Sequence, residues 1–379
     1  MPRKEHCLPG EWELLRDRQF NAQIVSIHTG SMAENEWYSM KLAETEALVL
    51  HFSASEYFLP PFLKTMKKLK VLIVCNLGSE RATIKGLDAL SSLPQLRSVR
   101  LERLVAPKQI KAIQNLDKLS LSLCEGFVNM STFNYSNVHE FSLDHCSDLE
   151  ELPPALCHMP SVQTWSVTNC HLVENLPYNL GNMCSLRMLR LSALPGLKEL
   201  PASIGKLGQV EFLDISLCEG LEKLPEEIGS RARNSNDSGS GEGIDDANVD
   251  ERATIKGLDA LSSLPQLRSV RLERLVAPKQ IKAIQNLDKL SLSLCEGFVN
   301  MSTFNYSNLH EFSLDHCSDL EELPPALCHM PSVQTWSVTN CHLVENFPYN
   351  LGNMCSLRML RLSALPGLKE LLASIGKLG

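Results

Sequence analysis

VQTWSVTNC, residues 162–170, reads as a strand with two different faces. In an extended chain successive side chains alternate, so Trp165 and Val167 point one way while Thr164, Ser166 and Thr168 point the other. The same phrase recurs as VHEFSLDHC (138–146), LRMLRLSAL (186–194) and VEFLDISLC (210–218). The dipeptide Leu-Pro keeps step with it at 152, 176, 200 and 224. Working upstream, looser copies occur at LRSVRLERL (96–104), LDKLSLSLC (116–124), LKVLIVCNL (69–77), around Ala47–Phe52, and at AQIVSI (22–27). About nine strands therefore precede residue 220.

Each phrase fits L-x-x-L-x-L-x-x-C/L and is followed by a segment such as LEELPPALCHMPS (149–161), with apolar residues at Leu149, Leu152, Leu156 and Met159. Those spacings suit a turn and a short helical or 3₁₀ piece. A unit of this size buries its apolar face only by stacking on its neighbours, and a fixed period is the signature of such stacks. The expected fold is an α/β leucine-rich-repeat solenoid, with parallel strands on the concave face and short helical or 3₁₀ segments on the convex face.

Residues 80–208 and 251–379 align without a gap at an offset of 171, with three differences: Val138/Leu309, Leu176/Phe347 and Pro201/Leu372. That is a recent copy of a whole block or an error in assembling the gene, and its ends ignore the structural unit. The expected organisation is a first repeat block at 1–229, less regular over 1–45, a linker at 230–250, and a second block at 251–379. The linker, SRARNSNDSGSGEGIDDANVD, holds too little apolar surface to offset its ordering entropy. Either one solenoid carries it as a long loop, or the stack breaks in two. Phe347 is expected to overpack the second block by roughly 1–3 kcal/mol.

The 13 cysteines are read as buried and reduced. Cys146, Cys170 and Cys218 occupy the last beat of their strands, Leu194 takes the same beat in the intervening repeat, and no C-x-x-C pair occurs. A metal ligand would not tolerate leucine; a small buried hydrophobe would.

Enzymatic readings are weak throughout. Asp144-His145-Cys146 resembles a nucleophile beside a base, but the cysteine falls on a core beat. Lys206 in IGKLG (204–208) lacks the phosphate-loop pattern, and Asn129, Asn134 and Asn236 head accidental N-x-S triplets. Trp165 takes the beat of Leu189 and Leu213 and is read as core. No catalytic residue, cofactor or metal is expected. The formal charge of −8 argues against nucleic acid and acidic membranes, and no apolar window suggests a span or a leader. A cytoplasmic protein, with the nucleus as an alternative, is expected.

The remaining candidates form the outward row of the strands. In the first block they are Arg97, Arg100, Glu102, Lys118, Glu140, Asp144, Thr164, Thr168, Arg190 and Asp214; in the second, Arg271, Glu273, Asp315 and Arg361. They are mixed in sign, and the expected partner is a protein held on the concave face, with no small-molecule substrate evident.

LPGEWELLRDRQFNAQIVSIHTGSMAENEW (8–37), ALVLHFSASEYFLPPFLKTMKKLKVLIV (47–74) and ISLCEGLEKLPEEIG (215–229) resemble the leucine-rich-repeat region of plant nucleotide-binding immune receptors. The similarity is greatest to the helper class known as activated disease resistance proteins. It extends over roughly 1–229 and, through the copy, 251–379. In that family the repeats hold the receptor inactive or contact signalling partners. The family's nucleotide-binding and signalling domains have no counterpart here, and MPRKE resembles an internal stretch of its chain. The resemblance thus implies a truncated, non-enzymatic interaction module of plant immunity; a generic intracellular scaffold fits the repeat pattern equally well.

Overall fold

The computed structural model describes residues 4–7, 20–37, 39–105, 115–126, 136–225, 257–273, 286–295, 306–321, 323 and 325–369. The linker at 230–250 and Leu372 lie outside the described residues. The chain divides into two compact units, Met1–Val173 with Asn182–Met188, and Glu174–Gly181 with Leu189–Gly379.

In the first unit the strands are β1 (Lys4–Cys7), β2 (Ile24–His28), β3 (Ala47–Phe52), β4 (Glu56–Phe58), β5 (Val71–Asn76), β6 (Thr83–Lys85), β7 (Ser98–Glu102), β8 (Lys118–Ser122), β9 (Glu140–Asp144) and β10 (Thr164–Thr168). All except β4 and β6 line up side by side and parallel in chain order. β4 and β6 form a separate parallel pair. Each place foreseen from the repeat phrase carries a strand. β1, whose sequence KEHC has no apolar beat, was not foreseen.

In the second unit β11 (Met188–Ser192), β12 (Phe212–Ile215), β13 (Ser269–Glu273), β14 (Lys289–Ser293), β15 (Glu311–Asp315), β16 (Thr335–Thr339) and β17 (Met359–Ser363) follow the same rule. The ladder passes straight from β12 to β13, with Phe212 opposite Ser269 and Ile215 opposite Leu272. Leu213, Val270 and Leu272 are buried there. Burial of each such side chain contributes about 1.5–3 kcal/mol.

The alternation produces the core. Trp165, Val167, Leu189, Leu191 and Leu213 are buried on the inner face, as are Leu149, Leu152, Leu156 and Met159 of the return segment. That segment makes its 3₁₀ turn at Pro154–Cys157, entered through Pro153, whose ring fixes φ ahead of the turn. At the turn Leu180–Asn182 a glycine is required. A Cβ at Gly181 would come within 2.1 Å of the Ser203 carbonyl oxygen of the next rung. Phe347 is buried with its ring edge-on to Trp336, centroids 6.1 Å apart.

A further rule holds the rungs from β7 on, wherever the strand exit is described. Ten non-glycine residues among the described ones have φ between 51° and 56°, and each stands immediately before the Cys/Leu beat: Arg103, Leu123, His145, Asn169, Ala193, Leu217, Leu294, His316, Asn340 and Ala364. The left-handed residue turns the chain out of the sheet while its N–H still donates to the neighbouring rung, as His145 does to the Thr168 carbonyl at 3.0 Å. The beat cysteine then packs inward, and its thiol lies against the backbone it has just left. Cys170 Sγ is 3.3 Å from the Thr168 carbonyl oxygen, and Cys295 Sγ is 3.2 Å from that of Ser293.

Candidate interaction face of the repeats

The parallel register sets equivalent outward side chains one strand apart. In the first unit one row runs Arg100, Ser120, Ser142, Ser166, and a second runs Glu102, Ser122, Asp144, Thr168. Lys118, Glu140 and Thr164 make a third. These rows are cross-linked. Lys118 pairs with Glu140, and the Ser142 hydroxyl donates to Ser120 at 2.8 Å. Arg100 reaches Glu102 at 3.1 Å, and the Cys75 thiol meets the same carboxylate at 3.5 Å. Exposed pairs of this kind contribute about 0–1 kcal/mol each, so they order the surface more than they hold the fold.

Asp144 is the best-connected group. Its Oδ1 accepts from Thr168 Oγ1 at 2.7 Å and Asn169 Nδ2 at 2.9 Å, and its Oδ2 lies 3.0 Å from His145 Nδ1. Partial burial pushes its carboxyl up, but the hydrogen bonds from Asn169, Thr168 and His145 outweigh it and hold the acid below the usual aspartate value. Asp315 repeats the arrangement with Thr339, Asn340 and His316. The acid thereby ties a strand end to the left-handed residue of the next rung.

Not every candidate lies on the outward rows as expected. Arg97 precedes β7 and turns toward the carbonyl oxygens of Pro94 and Leu96, both at 3.1 Å. It belongs to the N-terminal margin of the strand, because alternation begins only at Ser98. Asp214 is buried, its side chain only 4% exposed, under the Arg190 guanidinium at 3.2 Å; that guanidinium also sits 5.7 Å from the Phe212 ring centroid. Arg361, on β17, is exposed.

The copied residues also meet different neighbours. Glu102 stands beside Cys75 and its side chain is 29% exposed; Glu273 stands in the rung after β12 and is 6% exposed, joined to Arg271 at 3.2 Å. Arg271 is registered opposite Asp214, where Arg100 is opposite Ile73. Residue identity recurs; environment does not.

The outward residues of β2, β3 and β5 went unnoticed in the sequence. Ile24, Ala47, Val49, Val71 and Ile73 are partly exposed there. The outward alternates of ALVLHF and VLIVCN are aliphatic at Ala47, Val49, Val71 and Ile73, which was the available signal.

Among the described residues Cys184 and Cys355 are exposed, contrary to the expectation for the cysteines as a group, while Asp144-His145-Cys146 does not set a nucleophile beside a base. Cys146 is buried, and the hydrogen-bonded Cys170 thiol together with burial pushes its thiol up. His145 faces Asp144. Burial raises Cys218 to about 12, and burial with the Glu102 carboxylate raises Cys75 to about 12. Among the described residues no three His, Cys, Asp or Glu side chains converge on a metal position, and no helix is long and apolar enough to cross a membrane.

Parallel rungs, a left-handed residue at the exits of β7 to β12 and β14 to β17, an inward Cys/Leu beat and a 3₁₀ return define a leucine-rich-repeat protein. No family model matches the chain. Its homologues are plant disease resistance proteins. It is 41% identical over 173 residues to Probable disease resistance protein At4g33300 of Arabidopsis thaliana, covering 43% of this chain and 21% of the relative. It is 40% identical over 162 residues to Disease resistance protein ADR1 of the same plant, covering 40% and 20%. The chain thus spans about a fifth of the length of the curated relatives it matches. Among solved structures, the Toll–Spatzle complex of Drosophila aligns with TM-score 0.57 at 14% identity, covering 96% of this chain and 43% of that one. The mouse RP105/MD-1 complex aligns with TM-score 0.51 at 13% identity, covering 89% and 62%. Both are likenesses of fold alone.

Proposed function

We propose that this chain is a non-enzymatic protein-interaction region of a plant disease resistance protein, acting in the cytoplasm or nucleus and binding a protein partner on the concave face of its strands. The observation that carries this reading is the set of outward polar rows on β7 to β10, in register from rung to rung and cross-linked into a preorganised surface. Preordered side chains lose less entropy on binding. The homologues' names support the setting, and the Toll–Spatzle and RP105/MD-1 structures are complexes of proteins with a like fold.

The test exchanges the charges of one pair. Lys118→Glu with Glu140→Lys keeps the ion pair but inverts its polarity. A partner crosslinked to the native chain in plant extract and then purified should bind the exchanged variant at least tenfold more weakly, with an unchanged urea midpoint. Equal affinity would remove the face from consideration.

A further inference from the structure

The outward face of β2, β3 and β5 departs from the rule kept by the rungs after it. Ile24, Ala47 and Val71 share one row, and Ser26, Val49 and Ile73 share the next, which continues into Arg100, so the row after the first is aliphatic on β3 and β5. The same rows in β8 to β10 hold Lys118, Glu140 and Thr164, and Ser120, Ser142 and Ser166. A merely solvated face in this chain is therefore built of hydroxyls and charges. Parallel strands that read as unbroken apolar runs are ordinarily covered on both sides, and contiguous exposed apolar side chains mark a binding surface.

The border says what kind of partner fits. Along the strand ends stand His28 and His51, rings stacked with centroids 4.5 Å apart. On the β7 side stands Arg100, its side chain 52% exposed. Among the outward side chains of β2, β3, β5 and β7, Glu102 is the only carboxylate, and it is already engaged by Arg100 and by the Cys75 thiol. The margin thus presents cationic and N–H groups around an aliphatic centre, with no uncommitted acid. Charge complementarity then favours a partner that brings a carboxylate.

We infer that this face docks an extended aliphatic segment of a partner protein, flanked by an acidic residue that pairs with Arg100. Its aliphatic rows lie upstream of Glu80, where the duplicated block begins, so they are present once per chain. It adjoins the polar rows of β7 to β10 and shares Arg100 with them, but its aliphatic centre stands on other strands.

The experiment uses the full chain and three fluorescein-labelled octapeptides with the cores Val-Ile-Val-Leu or Ser-Thr-Ser-Ser: the first core flanked by aspartates, the first core flanked by lysines, and the second core flanked by aspartates. Fluorescence anisotropy should show the aspartate-flanked aliphatic peptide binding at least tenfold more tightly than either other. Val49→Ser with Ile73→Ser, which copies the hydroxyls of the later rungs and so preserves the fold, should weaken it at least tenfold. Arg100→Glu should reverse the preference between the aspartate and lysine flanks. Arg361→Glu and the Lys118/Glu140 exchange should leave it unchanged. Absence of binding up to millimolar peptide, indifference to the serine pair, or an equal loss on the Lys118/Glu140 exchange would overturn the inference. The first two outcomes leave the polar rows untouched as a binding face.

Discussion

Leu217 shows how much the repeat asks of a single residue. It has φ 55° and is 37% exposed, standing where Asn169 and Asn340 stand in other rungs. A left-handed residue costs about 1–2 kcal/mol unless it is glycine, or asparagine or aspartate bonded locally. Leu217→Asn should therefore stabilise the chain by about 1 kcal/mol, and Leu217→Val, β-branched in the same conformation, should destabilise it; urea denaturation of the two variants gives both signs. Asp144 and Asp315 carry a second consequence. Their folded carboxyls titrate below the unfolded value, near 3.9. Their contribution is complete above that value and is lost as pH falls through the depressed folded value. Asp144→Asn should lower stability at pH 7 by about 1–2 kcal/mol and flatten its fall between about pH 4 and 2. An unchanged acid profile would show that the network around Asp144 does not hold the charge.

Elements are where reading the sequence succeeded and where it stopped. The strands β2, β3, β5 and β7 to β12 were legible because a buried beat at fixed spacing is a strong signal, whereas the short pair β4 and β6 carries no such beat; Cys146, Cys170 and Trp165 are core for the reason their register gave. The residue before the beat carried no such signal. His145, Ala193 and Leu217 share a backbone angle and no side-chain chemistry, so the left-handed exit emerges only from coordinates. Outward positions were legible as outward, but burial of Asp214 depends on Arg190 and Phe212 closing over it, which no spacing foretells. Gly181 belongs to this scale too. Its N–H donates to Ser203 Oγ at 3.1 Å, and a methyl group there meets backbone and not a yielding side chain. Gly181→Ala should push the turn at Leu180–Asn182 away from that at Ala202–Lys206. The expected cost exceeds about 2 kcal/mol, within the range for overpacking a close contact, and thermal melting should show it as a lowered midpoint. The equivalent change at an open glycine, Gly208→Ala, should be nearly silent, since nothing lies within 4 Å.

For the whole molecule, duplication of sequence has not duplicated surface. Arg100 and Arg271 come from identical stretches, yet Arg100 faces an aliphatic rung while Arg271 stands over two buried carboxylates, its own Glu273 and Asp214 of the adjoining strand. Charge reversal at the two sites therefore asks different questions. Arg100→Glu exchanges one exposed cation beside a partly exposed acid, and exposed pairs contribute about 0–1 kcal/mol. Arg271→Glu would gather three acids, two of them buried, with Arg190 alone to offset them; breaking a buried pair costs about 3–5 kcal/mol. With Arg271 itself half exposed, about 2 kcal/mol is the expected loss. Urea denaturation at pH 7 should place the Arg271→Glu midpoint well below that of Arg100→Glu. Equal midpoints would mean that Glu273 and Asp214 do not depend on Arg271. If the gap is found, binding lost on reversal at Arg271 reports folding, and Arg361, exposed on β17, is the position at which to test recognition by the second block.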